Sequence, residues 1–268
     1  MTAGAVTIPA RRSAYGAGGE AEQRAIPVEA PIAIEINGIA YAVMMATPCD
    51  LEDFVTGFVL SEGLATVDEI GPVALHPVEE GFVARVTLPA ERLGPIMERA
   101  RRRLGDSSCG ICGIESVEAA LRPLPPIAAR SNATPEAIRA ALSAMRAGQE
   151  LGALTAATHA AAFAREDGTV VAVREDVGRH NALDKLIGAL AREGVAASEG
   201  FMLVTSRCSY ELVEKAARAG CPLLVAISAP TDLAVRRARA AGLALAVVAR
   251  DDSMLWVTGP QMELADGL

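Results

Sequence analysis

From residue 32 the chain alternates large apolar positions with small or polar ones: Ile32, Ile34 and Ile36 are separated by Ala33 and Glu35. That period of two predicts a strand with one buried face. Asn37-Gly38 follows, a pair suited to the positive φ angles of a tight hairpin, and Tyr41 to Met45 returns as a second strand. Asp50 stands where it would cap a helix. The apolar positions Leu51, Phe54, Val55, Phe58 and Val59 of that helix share one face, and Gly63 lies just past its end. Two more short strands, at about 72–76 and 81–88, and a helix over about 90–104 complete the first half. Residues 1–24 are Ala, Gly, Arg and Glu without periodicity and read as a mobile tail.

Arg122-Pro123-Leu124-Pro125-Pro126 cannot continue a helix, whereas Ser131-Asn132-Ala133-Thr134-Pro135 restarts one with a cap and a proline in its first turn. A boundary between 122 and 134 follows. It separates a smaller α+β domain over 25–125, ending in a Cys-x-x-Cys loop, from an α/β domain over 130–268. Beyond the break the spacing predicts a helix over 135–147, a helix beginning near His159 and a strand from Val170 to Val173. A helix from about Asn181 to Arg192 and a strand over 201–205 come next. Helix 210–219, strand 223–228, helix 231–241 and strand 243–249 then alternate, with Gly220 and Gly242 between them. Such an order implies a parallel sheet with right-handed crossovers and helices on both faces. The nearly continuous apolar strands fit burial on both sides. No internal repeat is evident.

Composition narrows the class. A chain of 268 residues that is 51% hydrophobic and 22% charged is globular, and it is long enough to bury a core without staples. The net charge of −8 argues against a reader of nucleic-acid backbones. No long uncharged apolar run predicts a membrane span, and Arg11-Arg12 is followed by no apolar stretch that would make it an export signal. A cytoplasmic protein is expected. There, five cysteines (Cys49, Cys109, Cys112, Cys208 and Cys221) form no disulfide framework, and a Cys-x-x-Cys pair points to chemistry.

That pair sits in Ser107-Ser108-Cys109-Gly110-Ile111-Cys112-Gly113-Ile114-Glu115. Two thiols at this spacing can reach each other, share a metal, or pass a sulfur atom between them. Residues 115–121 read as helical, so the pair would lie at a helix start, where free amides favour a thiolate, with Arg101, Arg102 and Arg103 adding positive potential. Alternatives are half a zinc site or an inert packed pair; zinc would need two further ligands, such as Cys208 with His159 or His180. Cys208 and Cys221 read as buried small hydrophobes, and Cys49 as a residue without a role.

Three further segments sit at predicted strand ends. Glu175-Asp176-Val177-Gly178-Arg179-His180-Asn181-Ala182-Leu183-Asp184-Lys185 has the equipment for holding phosphate at a helix N-terminus, without a complete phosphate-loop spacing. Thr205-Ser206-Arg207-Cys208-Ser209 and Ser228-Ala229-Pro230-Thr231-Asp232 lie at carboxyl ends of parallel strands, where open α/β sheets bind ligands. Simple capping by Ser209 and Thr231 is the alternative. Thr158-His159-Ala160-Ala161 is like the His-x-Glu of zinc nucleobase deaminases, but position 161 is alanine and no Pro-Cys-x-x-Cys occurs.

Together with Thr56-Gly57-Phe58-Val59-Leu60-Ser61-Glu62-Gly63, these segments resemble the FdhD/NarQ family of formate-dehydrogenase accessory proteins, in the family's order from about residue 25 to the C-terminus. The resemblance implies a three-layer α/β/α, cytidine-deaminase-like domain beside a smaller α+β one. It implies a sulfurtransferase that takes sulfur from an IscS-type cysteine desulfurase. The sulfur would pass to the Mo-bis(molybdopterin guanine dinucleotide) cofactor bound as substrate, before its insertion into the formate dehydrogenase catalytic subunit. GDP would be a mimic of that substrate. Cys109 matches the persulfide-carrying position and Cys112 its partner. The family's cofactor-binding segment falls on Val248, Ala249, Arg250, Asp251, Asp252 and Ser253, where two carboxylates beside a diphosphate would repel it unless they point elsewhere. Gly178, Arg179, His180, Asn181, Ser206, Arg207, Ser228 and Thr231 would complete the cofactor groove, with Lys185 as a further cation. No resident metal, nucleic acid or membrane is expected, and a homodimer is left open. A cofactor-binding chaperone and a dithiol oxidoreductase are the competing readings.

Overall fold

A computed structural model describes residues 4–13, 15, 19–94, 96–98 and 123–263. Cys109, Cys112, the Arg101–Arg103 cluster and the helix expected over 115–121 lie outside the described residues. So does the second half of the helix expected over 90–104.

The segment read as a tail carries an antiparallel hairpin, β1 (Ala5–Ser13) with β2 (Gly19–Pro27). Neither strand buries a face, and Val6 and Ile8 are exposed, so no alternating pattern announces them. Backbone pairing alone makes such a ribbon marginal. It is tied down by Val28 N–H donating to Gly4 O at 2.7 Å and by Arg24 donating to Thr155 O at 3.0 Å.

β3 (Ala30–Ile36), β4 (Ile39–Ala46), β5 (Ala74–Val78) and β6 (Gly81–Val86) form a sheet ordered β4-β3-β6-β5, in which only β3 and β6 run parallel. The β3–β4 turn uses positive φ at both Asn37 and Gly38, as their chemistry requires. Ile32, Ile34 and Ile36 are fully buried beneath Phe54, Val55, Phe58 and Val59 of α1 (Leu51–Ser61). Asp50 does occupy the cap position of α1, but its side chain caps nothing. It adopts φ 50°, and its carboxylate turns toward Arg174, 4.0 Å away.

α2 (Pro135–Ala147) starts as its sequence dictates, with Thr134 Oγ1 accepting from the Ala137 amide at 3.2 Å. A short α3 (Glu150–Thr155) follows, and then β7 (His159–Arg165), where a helix was expected. The run Ala160-Ala161-Ala162-Phe163-Ala164 has helical propensity, yet every one of these residues is buried. A central strand covered on both faces reads as continuously apolar, and alanine lets helices approach closely from either side. Next come β8 (Val170–Asp176), α4 (Arg179–Arg192), β9 (Gly200–Val204), α5 (Tyr210–Arg218), β10 (Leu223–Ala226), α6 (Asp232–Ala241), β11 (Ala244–Val247), β12 (Leu255–Thr258) and α7 (Pro260–Glu263).

The six strands order as β12-β11-β10-β9-β7-β8. β9, β10 and β11 are parallel as expected, but β7, β8 and β12 are antiparallel to their neighbours, so the sheet is mixed. Leu183, Leu212 and Ala234, from α4, α5 and α6, pack on one face against Phe163, Met202 and Leu224. Ile138, Leu142 and Met145 of α2 pack on the other, against Ala162, Leu203 and Val225. The result is an α/β/α sandwich.

α1 joins this sandwich to the smaller sheet, crossing α4 at paired glycines. A Cβ on Gly57 would lie 1.7 Å from Asp184 O, and one on Gly188 would lie 1.8 Å from Asp53 O. Two helices can cross this closely only without side chains at the contact.

Candidate functional site

Strand direction gathers the candidate residues. The parallel strands β9, β10 and β11 finish at one rim of the sheet, β8 finishes there too, and the antiparallel β7 and β12 begin there. The turns 177–178, 205–209, 227–231 and 248–253 therefore share that rim with His159, and α4, α5 and α6 start from it. Backbone bonds lace the turns together. Cys208 N–H donates to Ala229 O at 3.2 Å, Thr231 N–H to Cys208 O at 3.0 Å, and Val248 N–H to Ser228 O at 3.3 Å. Three helix N-termini facing one rim create a positive potential suited to anionic groups.

The predicted residues divide at this rim. Arg207 and Arg250 are exposed, and Gly178, Arg179, His180 and Ser228 are half-buried. Thr231 caps α6, its Oγ1 accepting from Ala234 N–H at 3.2 Å. Ser206 is buried and donates to Arg207 O at 3.0 Å, and Ser209 does not cap α5. In the 248–253 segment, Val248 holds φ 50°, unusual for a β-branched residue, and Ala249 is buried. Arg250 N–H closes a turn onto Ser253 O at 2.8 Å, and the Arg250 guanidinium bonds back to Ile227 O. The Asp251 carboxylate turns to Arg146 at the end of α2, and Asp252 accepts from Ser253 Oγ at 3.0 Å. Asp251 thus points out of the cluster of turns. Beside Arg146 lies a hollow of about 330 Å³, lined also by Gln149, Gly152, Ala153, Ala156 and Thr158.

Asn181 and Lys185 do not reach this rim. Lys185 is fully buried, 2.8 Å from the equally buried Asp176, and also donates to Thr47 O and Glu175 O at 3.0 and 3.1 Å. Asp176 accepts from Thr47 N–H, Gly178 N–H and Asn181 Nδ2, and Asn181 Nδ2 reaches Met45 O at 2.8 Å. These groups pin the end of β4 to the start of α4. One turn further along α4, Asp184 pairs with Lys215 at 2.8 Å and accepts from Ser61 Oγ at 2.6 Å. The sequence reading missed these partners because Met45, Thr47 and Ser61 are more than 120 residues away. It missed likewise the Glu175 carboxylate, which accepts from the Leu151 and Gly152 amides at the start of α3.

The described thiols are poor nucleophiles. Burial pushes Cys208 and Cys221 up to about 12, and it raises Cys49 despite Lys185 Nζ at 3.6 Å. Cys208 and Cys221 are core residues, in keeping with the reading of lone cysteines as buried small hydrophobes. His159 is held below the usual histidine range by burial and by Arg179, and Ala161 behind it is in the core. Among the described residues no cluster of three His, Cys, Asp or Glu could hold a metal. A deaminase-type zinc centre is not formed by them.

Glu211 stands in the first turn of α5, a position to which the sequence reading assigned no role. Burial works to raise its carboxyl, yet the His180 imidazole, the Ser209 hydroxyl and its own amide hold it down to about 2. His180 Nε2 lies 3.7 Å from Glu211 Oε2.

The fold is a mixed α/β sandwich whose laced strand-end turns, helix N-termini and arginines share one rim, the edge at which open α/β sheets bind ligands. The chain belongs to the FdhD/NarQ family, whose model matches residues 27–262. It is 49% identical over 240 residues to the Sulfur carrier protein FdhD of Xanthomonas euvesicatoria pv. vesicatoria, spanning 89% of this chain and 85% of that one. It is 45% identical over 234 residues to the Sulfur carrier protein FdhD of Cupriavidus necator, spanning 87% and 81%. A crystal structure from Desulfotalea psychrophila, described as a formate dehydrogenase accessory protein, superposes with a TM-score of 0.77 at 22% identity. The match covers 96% of this chain and 98% of that one, and it establishes the shared fold.

Proposed function

We propose that this chain is a cytoplasmic sulfur carrier: it accepts sulfur as a persulfide on Cys109 from a cysteine desulfurase and delivers it to Mo-bis(molybdopterin guanine dinucleotide) destined for formate dehydrogenase. The observation that carries this reading is close kinship, over most of the chain, with relatives named as sulfur carriers. The rim supports the cofactor half of it. Arg179 and Arg207 stand beside three helix N-termini, an arrangement that favours a diphosphate in an otherwise acidic molecule. Asp251, the acidic residue most at odds with such a ligand, is neutralised by Arg146.

In the first step the Cys109 thiolate attacks the terminal sulfur of the desulfurase persulfide. The donor's S–S bond breaks, a desulfurase thiolate leaves, and Cys109 carries the extra sulfur. In the second, the Cys112 thiolate attacks Cys109 Sγ and expels hydrosulfide toward molybdenum. The transferred sulfur is reduced by two electrons as the two thiols become a disulfide, which a cellular dithiol must reduce before the next cycle. In direct transfer, with Cys112 only positioning the persulfide, the S–S bond breaks with the Cys109 thiolate as leaving group, the acceptor supplies the two electrons that bring the sulfur to sulfide, and no disulfide forms. Burial, which disfavours the thiolate at Cys208 and Cys221, leaves those thiols out of both steps.

Mass spectrometry after incubation with desulfurase and cysteine tests the reading. One added sulfur, 32 Da in mass and lost on reduction, is expected on wild type and absent in Cys109→Ala (roughly as thiol exchange requires). Equal labelling of Cys109→Ala, or full activation of formate dehydrogenase by that variant, would favour a chaperone without sulfur transfer.

A further inference from the structure

We propose that Glu211 reads the guanine base, accepting hydrogen bonds from its N1–H and 2-amino groups. The assignment rests on the cofactor reading above and adds the residue that selects the nucleotide. Every other described carboxylate around the rim is engaged by the protein itself. Asp176 is locked by Lys185 and Thr47, and Glu175 by the amides of α3 and by Thr158 Oγ1 at 3.0 Å. Asp251 is held by Arg146, Asp252 by Ser253, Asp232 by Arg236 at 2.9 Å, and Glu214 by Arg237 at 2.6 Å. Glu211 differs. Among the described residues the one basic group within ion-pair range of it is His180, at 3.7 Å, and the Glu211 side chain is 24% exposed.

The groups behind Glu211 explain why it stays charged without being saturated. His180 Nε2 and Ser209 Oγ are closed off from solvent and have no partner at hydrogen-bond length. Both favour the charged carboxylate, His180 Nε2 from 3.7 Å, which is beyond hydrogen-bond length. An ionised carboxylate has about four acceptor positions and no donor. It repels a phosphate, so its presence among helix N-termini and arginines that favour phosphate calls for a donor-rich part of the same ligand. Guanine presents two adjacent N–H donors on one edge, matching the two carboxylate oxygens. Adenine presents an acceptor at N1 beside its amino group and cannot make the pair. Hypoxanthine keeps N1–H and lacks the amino group.

Calorimetric titration of the full chain with GDP, IDP and ADP tests this. Wild type is expected to bind GDP about tenfold tighter than IDP, with ADP weaker still. Glu211→Gln should lose about 30-fold in GDP affinity, bind ADP within about threefold of wild type, and discriminate little between GDP and IDP. Retained ADP binding shows that the variant is folded and its phosphate contacts are intact. Unchanged GDP binding by Glu211→Gln, or equal loss of GDP and ADP, overturns the assignment and leaves the cofactor reading standing. So does a wild type that binds GDP and ADP alike. No nucleotide binding by wild type overturns both.

Discussion

The seam around Asp176 and the rim around Arg179 are made from neighbouring residues of one segment, and they are opposites. At the seam, Asp176, Asn181 and Lys185 are dry and bonded to the end of β4. At the rim, Arg179 and His180 are half-exposed, and Glu211 lies 3.7 Å from His180 with its side chain in part open to solvent. The helical period makes the division: positions 181, 184 and 185 share the face of α4 that meets α1 and its approach, while 179 and 180 stay at the helix start. A polar motif can therefore be half scaffold and half site. The scaffold half holds the rim still, which a preorganised binding surface needs.

The largest difference between the two regions should appear in stability. Lys185→Met leaves Asp176 buried without its counter-ion, and removing one partner of such a pair costs about 3–5 kcal/mol. Urea denaturation should show that loss. Adding Asp176→Asn removes the stranded charge and should restore part of it. If Lys185→Met is as stable as wild type, the seam is not the rigid element described here.

The glycine crossing sharpens the same comparison. In Gly57→Ala the new methyl group would meet Asp184 O at 1.7 Å, so α1 must move off α4. Overpacking against backbone of this kind costs about 3 kcal/mol. Because α1 carries Ser61 and stands next to Thr47, both polar seams should loosen together. Hydrogen exchange at the α4 amides would report it, with the amides of β10 and β11 little changed.

At the rim the expected stability effects are smaller and depend on pH. The Glu211 carboxyl is held at about 2, below its ordinary value near 4.5, so it adds stability that is fully present above pH 4.5 and lost as pH falls toward 2. Wild type should therefore exceed Glu211→Gln by a margin that shrinks as pH falls from about 4.5 toward 2. Thermal melts of both proteins between pH 2.5 and 5 check this. A margin that grows as pH falls below about 4.5 would contradict it.

How much could be read in advance follows the reach of each signal. The Asn37-Gly38 turn and the Thr134-Pro135 helix start are decided within a few residues, and both are as their chemistry dictates. The alternation of β9 through β11 with α5 and α6 was legible for the same reason. The 160–164 run was not, since alanine suits a helix and a doubly covered strand equally. Residues 5–13 and 19–27 bury no face and so give no pattern. In the site, Arg179, His180 and Arg207 were placed correctly at strand ends. Asn181 and Lys185 could not be sorted from them, because their direction is set by β4 and α1, over 120 residues away. Cys109 and Cys112 lie outside the described residues, and their assignment rests on the sequence alone.

The smallest effect belongs to the acidic pair at 251–252, and it separates sequence resemblance from geometry. Read by position alone, Asp251 sits in the cofactor segment and should repel a diphosphate, so Asp251→Asn would tighten nucleotide binding. Its carboxylate is instead paired with Arg146, which lines the α2–α3 hollow, with 75% of the Asp251 and 42% of the Arg146 side chain exposed. An exposed pair of this kind contributes little to stability, about 0.5 kcal/mol or less. Its removal should also leave GDP affinity within about twofold, because the arginine screens the charge already. Titration at low and moderate salt decides the matter. A clear gain in affinity for Asp251→Asn at low salt would mean that the carboxylate faces the ligand after all, and that the Arg146 contact gives way when the ligand arrives.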